Sequence, residues 1–186
     1  MKFVIITPVK MNEVEVKILD VNLESFKATI SKLNGKLIHD RTLYKEMYFD
    51  ASIHDVQFSS LRLRAQGQVC FLTMKFKVNK DVNFLTRKEL EIQVSDFDTT
   101  KIMLEELGYK PYGVREKYRT EYKVGDVKVE LDEYPGIPPY AEIEADNQSS
   151  VEGFIRSLGF ELKHTVHYSA TEIIKQYGKD PSDLQF

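Results

Sequence analysis

Glutamates recur two residues apart at three places in this 186-residue chain: Glu13-Val14-Glu15 with Lys17 following, Glu89-Leu90-Glu91, and Glu142-Ile143-Glu144. In an extended chain, residues i and i+2 share a face, so each pair aims two carboxylates the same way. Such a pair can share a hard divalent cation through its oxygens. Cations recur at the same spacing: Arg62 and Arg64, Lys75 and Lys77, then Arg115, Lys117 and Arg119. Guanidinium groups match phosphate oxygens in bidentate geometry, and ammonium groups act as compact point charges. A divalent metal plus a polyphosphate is the chemistry that the two sets suggest together.

The elements that carry these residues are legible in the same pattern. Charged positions alternate with apolar ones, as in strands with one ionised face and one apolar face. Residues 61–64 turn through Ala65-Gln66-Gly67-Gln68 into residues 69–78, a hairpin. Thr73, Lys75 and Lys77 fall on one face of its second arm, Met74, Phe76 and Val78 on the other. Lys128, Glu130 and Asp132 alternate with Val127, Val129 and Leu131, and a stiff proline-rich turn at residues 134–139 leads to the Glu142 strand. Each Glu-x-Glu strand is followed by an amphipathic helix that stops at a glycine. The first covers residues 23–33, with Leu23, Phe26, Ile30 and Leu33 on one face and Asn34-Gly35 as the stop. The second begins near Asp98, turns Met103, Leu104 and Leu107 inward and ends at Gly108. The third opens on a capping box of Ser149 and Glu152 and continues through Val151, Phe154, Ile155 and Leu158 to Gly159. A strand is expected after each helix, giving a loose threefold repeat. A last capping box, Ser169 with Glu172, starts a helix carrying Ile173, Ile174 and Tyr177.

Composition narrows the function classes. Twenty-six basic against 29 acidic side chains, a net charge of −3, argue against a generally basic nucleic-acid binder. With 42% apolar and 30% charged residues and no linker, residues 1–186 read as one globular domain. The single cysteine, Cys70, excludes an internal disulfide and a cysteine-based zinc cage. The early apolar run at residues 3–6 is too short for a signal peptide or a membrane span. A cytoplasmic monomer or homodimer, without membrane or nucleic-acid partners, is therefore expected. About eight ionised strands and four amphipathic helices in search of an apolar surface point to an α+β fold. Its economical form is a closed antiparallel eight-stranded β-barrel, charged inside and covered by helices outside. Buried ions cost several kcal/mol each even after relaxation, so such an interior reads as a binding site rather than a stabilising core.

The ordered set of charges resembles the CYTH proteins, also called triphosphate tunnel metalloenzymes. Glu13-x-Glu15-x-Lys17 is similar to their N-terminal ExExK signature. Leu61-Arg62-Leu63-Arg64, Lys75, Glu89-x-Glu91, Lys117-x-Arg119, Asp132 and Glu142-x-Glu144 follow the family's order, leaving residues 1–10 as an extension before a match over 11–177. The resemblance implies Mg²⁺ or Mn²⁺ on Glu13, Glu15, Glu142 and Glu144 with Asp132 assisting, and a more mixed metal-side role for Glu89 and Glu91. It implies a triphosphate held by Arg62, Arg64, Lys75, Lys117 and Arg119, with Lys77 and Arg115 of matching parity. Lys17, partnered by Tyr48, would contact phosphate or position the nucleophile. The family includes thiamine triphosphatases, inorganic triphosphatases, messenger-RNA capping triphosphatases and class IV adenylyl cyclases. The implied activity is metal-dependent hydrolysis of inorganic triphosphate or of a small organic or nucleoside triphosphate. Two alternatives stand beside it: a class IV adenylyl cyclase that makes cyclic AMP and diphosphate from ATP, and a non-catalytic polyphosphate- or nucleotide-binding module. The turn at residues 134–139 departs from many family loops.

Other reactive residues read as structural. His39, His54, His164 and His167 are scattered, and His164 and His167, three apart in an expected strand, fall on opposite faces. Hydrogen-bonding or surface roles suit them better than metal ligation. Cys70, beside Phe71, reads as a packed thiol without an activating partner. Neither a Walker-type loop nor GxGxxG occurs.

Overall fold

The structure, a computed structural model, describes residues 13–50, 52, 58–80 and 84–186, and their side chains apart from 77–80, 86 and 87. The extension at residues 1–10 and the side chain of Lys77 thus lie outside the described residues. The first half of the chain forms β1 (Glu13–Ile18), α1 (Leu23–Lys32), β2 (Lys36–Phe49), β3 (Ser60–Gln66), β4 (Val69–Lys80) and β5 (Leu85–Val94). The second half forms α2 (Phe97–Glu106), β6 (Pro111–Val124), β7 (Val127–Glu133), β8 (Tyr140–Ala145), α3 (Gln148–Ser157), α4 (Ala170–Gln176) and the two-residue β9 (Asp183–Leu184).

Eight strands pair antiparallel in the order β2-β3-β4-β5-β1-β8-β7-β6. β2, first in that order, also pairs with β6, the last, from Lys36 opposite Lys123 to Phe49 opposite Pro111. β9 adds to β6 in parallel through Val114 opposite Asp183. The architecture is α+β, a curled eight-stranded antiparallel sheet with four α-helices among the described residues.

The apolar strand faces carry the helices. Val16 of β1, Val129 of β7 and Ile143 of β8 share a buried cluster with Phe26 and Ile30 of α1 and Val151, Phe154 and Ile155 of α3. Leu104 of α2 packs on Leu61 and Leu63 of β3 and on Phe49 of β2. Ile173 and Ile174 of α4 pack with Tyr134, Ile137, Tyr140 and Leu184. Burying each large aliphatic side chain contributes about 1.5–3 kcal/mol, which lets the opposite strand faces remain ionised. The β3–β4 connection is tighter than expected: Gln66 still pairs with Val69, and Gly67, at φ +58°, takes the turn. The stop after α1 is Asn34 at φ +60° followed by Gly35, where any side chain would collide with Ile30.

α2 begins near Asp98 as expected, and three other local expectations are corrected. α2 is capped by Asp96, whose carboxylate accepts from Thr99 N, and Leu104 is its buried residue. Met103 and Leu107 are 60% and 64% exposed. The 100° step per residue turns Met103 away from the sheet, and Leu107 is already the C-cap. α3 is capped by Asn147, whose Oδ1 accepts from Ser150 N, while Glu152 pairs with Arg156 instead of closing a box. Asparagine two residues ahead of Ser149 is placed to reach the third amide of the helix. No strand lies between α3 and α4 among the described residues; a 3-10 turn at Leu162–His164 and one bridge, Val166 with Lys17, replace it. The edge of β1 beyond Glu15 is too short for more, since β5 covers it only from Glu13 to Glu15. His164 accordingly lies in that turn, its Nδ1 accepting from Glu161 N. The Ser169–Glu172 capping box stands as expected. No helix among the described residues is long and apolar enough to cross a membrane.

Candidate functional site

Alternation places charged residues from each of the eight long strands around one cavity of about 880 Å³. Of the residues singled out in the sequence, Glu13, Glu15, Lys17, Tyr48, Arg62, Arg64, Lys75, Glu89, Glu91, Arg115, Lys117, Arg119, Glu142 and Glu144 line it. Many are almost fully buried, including Lys17, Arg115, Lys117, Arg119 and Glu144.

One wall is acidic and is built by register across three neighbouring strands. Glu15 and Lys17 of β1 stand opposite Glu144 and Glu142 of β8, which stand opposite Lys128 and Glu130 of β7. Carboxylate oxygens of Glu130, Glu142 and Glu144 lie within 4.8 Å of one another, close enough to share one ion. Basic groups compensate the cluster from two sides. Lys17 Nζ donates to Glu15 at 2.7 Å and lies 3.6 Å from Glu142. Arg119 lies 2.6 Å from Glu130 and 3.7 Å from Glu142. From the other side, Lys128 Nζ is 3.1 Å from Glu130 and 2.8 Å from Glu144. Burial alone would raise the Glu142 and Glu130 pKa values, but Lys17 and Arg119 beside the first, and Arg119 and Lys128 beside the second, hold them below the usual carboxylate range. Burial likewise opposes the charge on Lys128, and Glu130, Glu144 and Glu13 outweigh it. Ionised carboxylate oxygens at this spacing are the hard donor set that Mg²⁺ and Mn²⁺ take.

The facing wall is cationic. Arg62 and Arg64 of β3 and Lys75 of β4 point inward beside Glu91 and Glu89 of β5: Arg64 lies 3.2 Å from Glu91, and Lys75 pairs with Glu89. Thr73 Oγ1 donates to Glu91 at 2.6 Å. The Nε–H groups of Arg62 and Arg64 are buried without an acceptor, a donor capacity that phosphate oxygens would satisfy. Arg115 Nε donates to the Pro181 carbonyl, and its guanidinium lies 4.3 Å from the Tyr48 ring centre.

Two placements differ from the sequence reading. Tyr48 hydrogen-bonds Glu46 at 2.8 Å, while Lys17 is held by Glu15 and Glu142. The two residues come from β2 and β1, which are not neighbours in the sheet. Asp132 is fully buried, its oxygens taken by Lys117 Nζ at 2.9 Å and by Arg119 Nε and Nη2 at 2.6 and 2.7 Å.

The sequence reading missed Glu46 as a site residue. It is 1% exposed, accepts from Arg62 at 2.9 Å and lies 3.9 Å from Lys117. Its signal was the alternation Tyr44-x-Glu46-x-Tyr48, obscured by the polar Lys45 on the other face. Lys128, Glu121, Tyr134 and His39 also line the cavity unforeseen.

Burial pushes the Glu46 pKa up, yet Lys117 and Arg62 overcome this and hold it well below the ordinary 4.5. A depressed carboxylate contributes stability that is complete above its unfolded-state pKa and is lost as pH falls through the folded one. Glu46→Gln should therefore cost about 2–4 kcal/mol at pH 7, where it leaves buried cations short of a partner. The gap from wild type should narrow steadily below about pH 4.5. Denaturant melts of both proteins at pH 7 and pH 3 measure it, and a gap that widens at pH 3 would contradict the assignment.

The family model for the CYTH domain matches residues 11–176. Over 137 residues the chain is 27% identical to a Methanocaldococcus jannaschii protein provisionally named an adenylate cyclase, covering 72% of this chain and 77% of that one. A solved Pyrococcus horikoshii protein superposes with a TM-score of 0.73 at 25% identity, covering 86% of this chain and 98% of its own. A Hippeastrum protein, provisionally named an adenylyl cyclase but with a dominant triphosphatase activity, superposes at 0.62 with 17% identity, covering 90% and 97%.

Proposed function

This chain belongs to the CYTH family, whose members include triphosphatases and adenylyl cyclases, and from that premise we propose that it is a divalent-metal-dependent triphosphatase acting on inorganic or small organic triphosphates. The observation that carries the reading is the opposition, within one cavity, of a three-carboxylate cluster and a wall of inward-facing Arg and Lys groups. We also read the curled sheet as a closed tunnel, because pairing between β2 and β6 joins the two ends of the strand order.

In this reading Glu130, Glu142 and Glu144 hold the divalent ion, with Glu13 and Glu15 on the same wall. When bound, that ion neutralises phosphate charge and lowers the pKa of a water. Arg62, Arg64, Lys75, Lys117 and Arg119 hold the triphosphate in line, and Arg115 flanks them. Glu89 and Glu91 aim Lys75 and Arg64 rather than bind metal, and Asp132 does the same for Lys117 and Arg119. Lys17, held between Glu15 and Glu142, would contact phosphate or position the nucleophile. Phosphoryl transfer needs mainly positioning and charge stabilisation, which a rigid sheet wall supplies.

A second reading, ATP cyclisation, is favoured by the provisional name of the M. jannaschii relative. A cyclase must also align the ribose 3′-hydroxyl with the inner phosphate, whereas hydrolysis needs only the triphosphate tail and a water. The groups that line the cavity suit phosphate and metal. Assays with inorganic triphosphate and ATP in Mg²⁺ or Mn²⁺ should show inorganic triphosphate turned over at least as well as ATP. Phosphate should be released with little cyclic AMP, and activity should vanish in excess chelator. Efficient cyclic AMP formation, with inorganic triphosphate acting only as an inhibitor, would select the cyclase. Binding without turnover of either would leave a non-catalytic polyphosphate module.

A further inference from the structure

We propose that Lys128 is a built-in counter-ion of the acidic cluster, one that a divalent cation must displace, so that this side chain sets the metal concentration at which the site fills. The inference rests on the metal reading above and adds a role for a residue outside the ordered charge set.

Among the described residues three cations touch the cluster, and they differ in how firmly each is tied. Lys17 is 2% exposed, lies between Glu15 and Glu142, and its backbone bridges Val166. Arg119 is 7% exposed and locked in a fork on Asp132, outside the cluster. Lys128 is 28% exposed, and its two close ion pairs are to Glu130 at 3.1 Å and Glu144 at 2.8 Å, both members of the cluster. Its ammonium thus bridges two of the three carboxylates that a metal would use.

A divalent ion on those oxygens would stand a few ångströms from the ammonium, where like charges repel strongly in a partly buried setting. One of them has to leave. Lys128, on a flexible stem and already in partial contact with solvent, can swing outward at small cost, while Lys17 and Arg119 are held. The apparent metal affinity is then the intrinsic affinity multiplied by the fraction of molecules in which the ammonium has vacated the cluster. Removing the charge removes that competition.

The test is a titration of the metal-free full chain with Mn²⁺ alone, followed by calorimetry and by loss of the free-Mn²⁺ electron paramagnetic resonance signal. Lys128→Gln and Lys128→Met should bind Mn²⁺ about tenfold more tightly than wild type, the scale of a competitor present in about nine molecules of ten. Lys128→Arg, which keeps the charge and can fork onto both carboxylates, should bind as weakly as wild type or more weakly. Two neutral variants guard against one that folds poorly, and circular dichroism melts identify it. Equal or weaker Mn²⁺ binding by folded Lys128→Gln would overturn the counter-ion role and leave the metal site standing. Absence of Mn²⁺ binding by wild type and both neutral variants would overturn the metal reading with it.

Discussion

Replacing Glu142 and Glu144 together by glutamine should abolish metal-dependent triphosphate turnover while leaving the chain folded. The two residues supply two of the three carboxylates whose oxygens converge within 4.8 Å. Glutamine keeps their size and one oxygen each but removes the charge that holds a hard cation. Loss of the metal's contribution, about 4 kcal/mol of transition-state stabilisation, corresponds to roughly a thousandfold in rate. The fold should survive because each neighbouring cation retains another partner. Lys17 keeps Glu15 at 2.7 Å, Arg119 keeps Asp132 and Glu130, and Lys128 keeps Glu130 at 3.1 Å. Measured kcat/KM for inorganic triphosphate in saturating Mn²⁺, beside a thermal melt, checks both halves. A double variant within tenfold of wild-type activity would rule out this cluster as the metal site.

Alternation made most of the site legible, because a period of two assigns every second residue to one face regardless of how the strands later pair. Glu13 to Lys17, Arg62 to Arg64 and Glu142 to Glu144 needed no tertiary information to be placed together on their strands. Two kinds of information were not in the pattern. The first is which carboxylate meets which cation, since that depends on register: β7 sets Asp132 beside Arg119 of β6, with Tyr140 of β8 on its other side. The second is sidedness where both faces of a strand are polar. In β2 the sequence Tyr44-Lys45-Glu46-Met47-Tyr48 hides a buried glutamate next to an exposed lysine, and only pairing with β3 and β6 decides between them. Helix ends failed for a related reason. Asn147 and Ser149 are both good caps, and the choice belongs to where β8 releases the chain at Ala145.

Asp132→Asn should produce the largest loss of stability of any single substitution in the cavity wall, and it distinguishes two roles for the residue. Asp132 is 0% exposed and receives N–H groups from Lys117 and, in a fork, from Arg119. An asparagine has no charge and offers one acceptor oxygen where Lys117 and both arms of Arg119 now bind. Removing one partner from a buried ion pair costs about 3–5 kcal/mol, because the remaining charge stays desolvated. For a chain of this size that lowers Tm by roughly 10 °C or more. Arg119 would retain Glu130 at 2.6 Å and Lys117 only the longer approach to Glu46 at 3.9 Å, so both cations lose their fixed direction. Triphosphate KM should therefore rise, while Mn²⁺ affinity, set by Glu130, Glu142 and Glu144, changes little. A metal ligand would behave in the opposite way. Its loss would weaken Mn²⁺ binding strongly and, by removing a negative charge from an acidic cluster, leave Tm nearly unchanged. Calorimetric Mn²⁺ titration of the Asp132→Asn protein at a temperature well below its melt separates the two outcomes, because a positioning carboxylate and a coordinating one cannot give the same pair of numbers.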